Sequence, residues 1–172
     1  ALVIGSPPAE ASALARLGWV VDYLDWRWED GPVVEGATCH QGNALALPFG
    51  DETFDAVPST CVICHVGLGR YGDPVQDDAE LTMLRECRRV LRKGGRMAMM
   101  VGPATHGDTL TIGTTHRIVG WDDLASLGDD ARLRLHDHAI FIPTETRWRE
   151  PGEPWATNAD IPDYLCVVLE AV

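Results

Sequence analysis

Residues 42–57 read GNALALPFGDETFDAV, and this stretch decides how the rest of the chain is interpreted. A run of apolar and β-branched residues begins at Phe54, and it predicts a strand over residues 54–63. The stretch LRECRRVLRKGGRMAMMV follows at residues 84–101. An apolar face at helical spacing predicts a helix over residues 78–92, which two consecutive glycines end. The apolar run after those glycines predicts a further strand over residues 96–101.

The same patterns continue outward in both directions along the chain. They predict strands over residues 2–4, 19–24, 37–41, 132–142 and 164–172, and helices over residues 8–17 and 121–127. Strands that alternate with helices favour a parallel sheet covered on both faces. Open sheets of this kind bind ligands outside the carboxyl ends of their strands, beside the first strand. The long polar loop over residues 143–162 is expected to hang over that crevice.

Composition limits the classes of partner. The 172 residues fit one domain over residues 1–172. A net charge of −12 repels phosphate backbones and anionic membranes, so we expect neither nucleic acid nor membrane as a partner. The sequence shows neither a long apolar run nor a signal-peptide pattern, which favours a cytoplasmic location. In that setting the five cysteines are expected to be reduced thiols.

Residues 61–65, CVICH, have the spacing that attaches a c-type haem. Cys61 and Cys64 could also supply two ligands to a structural zinc ion. The context favours neither reading, because the motif falls at the end of a predicted strand and no second paired cluster appears in the sequence. We therefore expect no metal site.

Taken together, residues 42–57 and 84–101 resemble the class I S-adenosylmethionine-dependent methyltransferases. In that superfamily a Gly-Asp-Ala step precedes Leu-Pro-Phe, an acidic residue and Phe-Asp, and a later helix ends in Arg-Val-Leu-Lys-Pro-Gly-Gly. Order and spacing agree over nearly the whole chain. The resemblance implies a doubly wound, Rossmann-like α/β methyltransferase fold with a seven-stranded, mostly parallel sheet whose last strand is antiparallel. It also implies S-adenosylmethionine as the cofactor.

A narrower resemblance rests on HVGLGRYGDP at residues 65–74 and THRIVG at residues 115–120. These blocks are similar to those of a poorly characterised methyltransferase-like family that carries a GLGRYGDP block. This second resemblance supports the same fold and leaves the chemistry open.

The superfamily wraps the amino-acid part of its cofactor with the loop after strand one, which implies this role for Gly5 and Ser6. Only Gly5 matches the superfamily's Gly-x-Gly-x-Gly pattern, and the two prolines that follow Ser6 remove two N–H donors. Ser59 and Thr60, at the end of strand four, are expected near the methionine part of the cofactor.

The adenosyl part has its own expected set of residues. Asp25, at the end of strand two, matches the carboxylate that accepts the ribose hydroxyls, and Trp26 matches the residue that packs on the adenine. Asn43 replaces the usual aspartate facing the adenine amino group, with Ala44 and Leu45 flanking the ring. Each position also has a structural interpretation: a turn cap at Asp25, a core residue at Trp26 and a plain turn residue at Asn43.

Three residues are candidates for catalysis. His65, expected at the carboxyl end of strand four, is the first candidate for a general base toward an alcohol acceptor. His116, in the second block, is the next, and Asp73 is a candidate to orient either histidine. Arg70 and Tyr71 are candidates to anchor an anionic or sugar-like substrate. The alternative interpretation is that the glycines around them serve only to turn the chain.

The sequence therefore predicts an S-adenosylmethionine-dependent methyltransferase of a small-molecule acceptor, with O-methylation of a sugar or secondary metabolite as the leading reaction. The alternative is a non-catalytic binding or scaffold protein that keeps the fold and has lost the cofactor, as the prolines and Asn43 suggest. A nicotinamide oxidoreductase is disfavoured because the first loop lacks Gly-x-Gly-x-x-Gly. Self-association into a homo-oligomer is one way in which the cleft could be closed.

Overall fold

The computed structural model of the chain describes residues 1–27, 33–105, 108–142, 147–148 and 163–172. The described residues contain ten strands and three helices, and runs of two or more strands follow one another without a helix between them. The strands are β1 (Leu2–Ile4), β2 (Val21–Asp25), β3 (Ala37–Gln41), β4 (Phe54–Thr60), β5 (Leu91–Thr105), β6 (Leu110–Ile112), β7 (His116–Gly120), β8 (Leu133–Ile142), β9 (Arg147–Trp148) and β10 (Asp163–Ala171). The helices are α1 (Pro8–Arg16), α2 (Ala79–Val90) and α3 (Trp121–Asp130).

Seven of these strands form the central sheet, in the order β3-β2-β1-β4-β5-β10-β8. Neighbours from β3 to β5 pair in parallel, and β10 is antiparallel to both β5 and β8. The expected doubly wound α/β fold, with a mostly parallel seven-stranded sheet and an antiparallel last strand, is confirmed. Three short strands were not predicted: β9 extends the sheet beyond β8, β7 adds to the end of β5, and β6 pairs with β7.

The centre of the sheet is buried on both faces, which explains why β1 reads as an unbroken apolar run. Side chains alternate across a strand, so Leu2 and Ile4 join the larger hydrophobic cluster while Val3 joins a smaller one. Ala11 of α1 lies in the smaller cluster and Met83 of α2 in the larger one, and neither is exposed to solvent. These contacts fix the strand ends that carry the site.

Two expectations about chain segments need comment. β4 ends at Thr60, three residues before the predicted boundary, because Cys61 takes a left-handed φ of 57° that ends the extended backbone. The loop expected to cover the crevice falls on residues 143–146 and 149–162, which lie outside the described residues. Within the described ranges, no helix combines the length and the apolar character needed to cross a membrane.

Candidate cofactor and acceptor site

A cavity of about 430 Å³ opens at the carboxyl ends of β1, β2 and β4. This volume is within the usual range for sites that hold small molecules. Most of the residues expected at the site line it: Gly5, Ser6, Asp25, Trp26, Asn43, Ala44, Thr60, His65 and Asp73. Leu45, Ser59 and His116 are not part of the lining.

Gly5 and Ser6 fit the loop after β1 tightly against β4. Gly5 has a φ of 56°, and a Cβ atom there would come within 2.7 Å of the Val62 Cγ2 atom, so glycine is required. The buried Ser6 hydroxyl accepts a hydrogen bond from the Thr60 backbone N–H at 2.8 Å. Helix α1 begins directly behind this loop, with Pro8 as its first residue. Gly5 is therefore needed for the close packing of this loop on Val62, and the Ser6 side chain also serves the fold.

Asp25 is buried and its carboxylate is already hydrogen-bonded. Oδ1 accepts from the Arg27 backbone N–H at 2.8 Å and from Arg27 Nε at 3.1 Å. Oδ2 accepts from Arg27 Nη2 at 2.9 Å and from the Tyr23 hydroxyl at 3.2 Å. Burial alone would raise the pKa of Asp25, but the hydrogen bonds and charge of Arg27 hold it below its ordinary value. The carboxylate is therefore ionised at neutral pH, and any ribose hydroxyl bound to it shares it with Arg27.

Arg27 also connects the end of β2 to the loop that carries the GLGRYGDP block. Its guanidinium carbon lies 4.9 Å from the centre of the Tyr71 ring, and the Arg70 guanidinium lies 5.4 Å from the same ring. Trp26 Nε1 donates a hydrogen bond to the Tyr71 carbonyl at 3.1 Å. These contacts form one wall of the cavity. Arg27 was not predicted as a site residue, and its signal in the sequence is its position directly after Asp25 and Trp26.

Asn43 shapes the turn that follows β3. Its Oδ1 accepts the Leu45 backbone N–H at 2.9 Å, and its carbonyl accepts the Ala46 N–H at 3.0 Å. Among the described residues, Oδ1 keeps one free lone pair and the amide nitrogen keeps its N–H donors, so Asn43 has groups that can bind an adenine ring. That contact stays a prediction. Ala44 lines the cavity, whereas Leu45 packs against the larger hydrophobic cluster.

His65 lines the cavity in a defined tautomer. Its Nδ1 lies 3.0 Å from the Thr115 carbonyl oxygen, which can only accept, so Nδ1 carries the proton and Nε2 carries the lone pair. Arg70 Nη1 donates to the same oxygen at 2.8 Å. Burial lowers the pKa of His65 below its ordinary value, and the nearby His116, Arg70 and Arg117 lower it further. His65 is therefore neutral at pH 7, as a general base must be.

His116 lies behind His65. Their ring centres are 4.5 Å apart, and His116 Nε2 is buried without a hydrogen-bond partner among the described residues. Burial and the charge of Arg70 lower the pKa of His116. Because His116 is outside the cavity lining and His65 is part of it, only His65 is placed to contact a ligand directly.

Arg117 holds the turn that carries His65. Its backbone N–H donates to the Cys64 carbonyl at 2.8 Å, and its Nη1 donates to the Val66 carbonyl at 2.5 Å. Its Nε forms a buried ion pair with Glu80 Oε1 at 2.6 Å. The blocks at residues 65–74 and 115–120, which the sequence analysis singled out separately, are thus in direct contact.

Asp73 lines the cavity, but its carboxylate folds its own loop. Oδ2 accepts from the backbone N–H groups of Gly67 and Gly69 at 2.9 and 3.4 Å, and Oδ1 accepts from that of Tyr71 at 3.1 Å. The hydrogen bonds of the described residues include none from Asp73 to either candidate histidine. The geometry supports a role in shaping the loop, and the orienting role stays a prediction.

Comparison with known proteins gives one sequence match and many structural ones. A family model described as a methyltransferase domain matches residues 22–99. No curated protein matches the sequence significantly.

Three solved structures illustrate the structural likeness. A protein described as a SAM-dependent methyltransferase, from Methanosarcina mazei, aligns with a TM-score of 0.68 at 16% identity and covers 99% of this chain and 91% of its own. The 1,6-didemethyltoxoflavin-N1-methyltransferase of Burkholderia thailandensis, solved with S-adenosylhomocysteine, gives a TM-score of 0.68 at 17% identity, with 99% and 71% covered. A protein described as a methyltransferase, in complex with the Haloferax volcanii Trm112 methyltransferase activator, gives a TM-score of 0.70 at 16% identity, with 99% and 80% covered.

At this level of identity the structural matches establish the fold alone. They agree with the sequence match, which runs from Asp22 in β2 to Met99 in β5 and leaves out β1 and the loop after it. The chain is thus similar to a methyltransferase domain over residues 22–99, and it shares the fold of solved methyltransferase structures over nearly its whole length.

Proposed function

We propose that the protein is an S-adenosylmethionine-dependent methyltransferase that O-methylates a small-molecule acceptor, such as a sugar or secondary metabolite. One observation carries the proposal. A single cavity at the carboxyl ends of the strands is lined both by groups suited to an adenosyl ligand and by a neutral histidine. The matches to methyltransferases support the choice of S-adenosylmethionine as the cofactor.

The residues present fit this cofactor. Gly5 allows close backbone approach, Asp25 offers an ionised carboxylate to ribose hydroxyls, and Trp26 and Ala44 offer apolar surface to a base. When bound, the cofactor supplies a methyl group on a positively charged sulfur.

The contribution of the protein to transfer is mainly alignment, because the reaction is an in-line displacement. His65 would accept the proton of the acceptor hydroxyl at Nε2, the nitrogen that the Thr115 contact leaves unprotonated. Arg70 and Tyr71 lie beside His65 and would hold an anionic or sugar-like acceptor, although Arg70 already donates to the Thr115 carbonyl.

The proposal includes the setting of the reaction. A net charge of −12 supports a small molecule rather than nucleic acid or an anionic membrane as the partner. A cytoplasmic location agrees with the five free cysteines. A homo-oligomer would be one means of covering the cavity.

A second function is favoured by a specific observation. Arg27 occupies both oxygens of Asp25, and Pro7 and Pro8 offer no N–H donors to the ligand. A methyltransferase fold that serves only for binding or as a scaffold would have these features. Cofactor binding separates the two functions.

The deciding experiment is calorimetric titration of the purified protein with S-adenosylmethionine and S-adenosylhomocysteine. Micromolar binding supports the enzyme, and no binding up to millimolar concentration supports the scaffold. Asp25→Ala should weaken binding at least tenfold, about 1.4 kcal/mol. Asp22→Ala is the matched control, because Asp22 lies on the same strand, pairs with His40 and does not line this cavity. Equal affinities for the two variants would rule out the ribose contact.

The role of His65 is tested by turnover once an acceptor is found. His65→Ala should lower turnover by about 10²-fold or more while cofactor affinity stays unchanged. His136→Ala is the control, since His136 lies on β8, is exposed and pairs with Glu170. A loss below tenfold would make His65 a packing residue.

A further inference from the structure

The turn after β4 brings two cysteine side chains together beside the cavity. Cys61 is half-buried and lines the cavity, whereas Cys64 is completely buried. The two thiols interact with each other, and Cys64 Sγ donates its hydrogen to the Gly102 carbonyl at 3.4 Å. One thiol is therefore open to small molecules, and the second lies behind it, three residues further along the chain.

The backbone holds this pair in an unusual conformation. Cys61 adopts a φ of 57°, a left-handed conformation that is costly for a residue with a side chain. Its N–H donates to the Met100 carbonyl at 2.8 Å, and the Arg117 N–H donates to the Cys64 carbonyl at 2.8 Å. Because β5 and β7 fix both ends of the turn, the thiol of Cys61 is held at the cavity although a glycine would suit its backbone better.

We propose that Cys61 and Cys64 form a redox-active dithiol, which hydroperoxides oxidise to a disulfide, and that this oxidation and ligand binding in the cavity exclude each other. The dithiol is a site of modification separate from methyl transfer. Only the choice of S-adenosylhomocysteine as the ligand that competes with oxidation rests on the proposed function.

The chemistry balances with a hydroperoxide as the oxidant. The Cys61 thiolate attacks one peroxide oxygen, the O–O bond breaks, and an alcohol or water leaves after taking up a proton. Cys61 is then a sulfenic acid. The Cys64 sulfur attacks the Cys61 sulfur, an S–S bond forms, and the hydroxyl group leaves as water with the proton of Cys64. Two thiols are oxidised and one peroxide is reduced.

The local charge distribution suits these roles. The interaction with Cys64 lowers the pKa of the Cys61 thiol below its ordinary value, which favours its thiolate, the reactive form. The same contact, together with burial, raises the pKa of Cys64. The accessible cysteine is thus the one that meets the oxidant, and the buried one resolves the intermediate.

The other cysteines are poorly placed to replace Cys64. Cys166 on β10 pairs with Met100 of β5, whose carbonyl binds the Cys61 N–H, so Cys61 and Cys166 are separated by a whole strand. Two strand spacings are about 9.5 Å, and the Cα atoms of a disulfide lie within about 7 Å. Cys39 lies on β3, at the far edge of the sheet, and burial raises the pKa of Cys87 to about 12.

Thiol mapping tests the dithiol directly. The reduced protein is treated with a small excess of hydrogen peroxide at pH 7, quenched with catalase, alkylated after denaturation and mapped by peptide mass. We expect three alkylated cysteines of the five, with Cys61 linked to Cys64. Cys64→Ser should stop at a sulfenic acid on Cys61 that dimedone traps. Cys39→Ser is the control and should still form the bond.

The link to the cavity has its own measurement. Saturating S-adenosylhomocysteine should slow oxidation of Cys61 at least tenfold, and the oxidised protein should bind it at least tenfold more weakly until dithiothreitol restores affinity. If the reduced protein binds no S-adenosylhomocysteine, the proposed function fails. The thiol mapping still shows whether Cys61 and Cys64 form a disulfide. Five surviving thiols, or a bond from Cys61 to Cys166, would overturn the dithiol. Oxidation that ligand does not slow would overturn the exclusion.

Discussion

Replacing Glu80 by alanine should destabilise the protein far more than a typical surface change. Glu80 pairs with Arg117 at 2.6 Å, and their side chains are 16% and 4% exposed. Removing one partner of a buried ion pair costs about 3–5 kcal/mol, because the other charge stays buried. Arg117 keeps its bonds to the Val66 and Ile63 carbonyls, so we expect the lower value, about 3 kcal/mol. For a chain of this size the melting temperature should fall by ~6–12 °C.

The chain offers a matched control for this prediction. Arg16 and Glu35 form an ion pair at 2.9 Å with side chains 72% and 78% exposed, so Glu35→Ala should cost no more than about 1 kcal/mol. Scanning calorimetry of both variants and of Glu80→Gln, which keeps a hydrogen-bond acceptor, measures the difference. The reasoning is refuted if Glu80→Ala melts within 2 °C of Glu35→Ala. That result would mean that water or a nearby carbonyl satisfies Arg117 without the carboxylate.

Three further predictions concern the loop, the carboxylate and the base. A Cβ at Gly67 would come within 2.2 Å of the Ala79 Cβ, whereas at Gly72, with a similar positive φ, it meets nothing within 4 Å. In urea unfolding, Gly67→Ala should therefore cost at least about 1–3 kcal/mol more than Gly72→Ala, and equal losses would contradict the contact. Arg27→Ala should free the Asp25 oxygens and tighten S-adenosylhomocysteine binding roughly fivefold by calorimetry, since the Arg27 side chain is half-exposed and its pairing is worth about 1 kcal/mol; weaker binding would contradict competition. Because the pKa of His65 is lowered, turnover should rise with pH through a midpoint below the ordinary histidine value of about 6.5; a midpoint above that value would contradict the assigned base.

Much of the fold is predictable because it rests on local patterns. The apolar runs of β1, β2 and β4 and the helical face of α2 are visible in sequence, and parallel packing then follows from their alternation. The predicted third strand agrees with β3 at both ends. The β6–β7 hairpin was missed because its strands are short, and β6 is exposed throughout, so it has no apolar alternation to reveal it.

The candidate site is predictable only as far as backbone position determines it. Asp25 is the last residue of β2 and His65 lies in the turn after β4, so sequence order alone places them at the cavity. The pairing of Arg27 with Asp25 depends on side-chain reach rather than on any periodic pattern. The contact of Arg117 with Glu80 joins residues far apart in sequence, and only the folded chain shows that they meet.

The cavity is built from two units that the sequence specifies separately. The ends of β1, β2 and β3 hold the groups suited to a cofactor, and that half contains the departures from the superfamily pattern, Pro7 and Pro8. The other half consists of the turn after β4 and the loop to Asp73, and β7 fixes it through backbone bonds and Arg117. Since different elements support the two halves, a chain could lose cofactor affinity at the first loop and keep the geometry around His65. An intact histidine therefore does not demonstrate an active enzyme, and cofactor binding must be measured before any acceptor is sought.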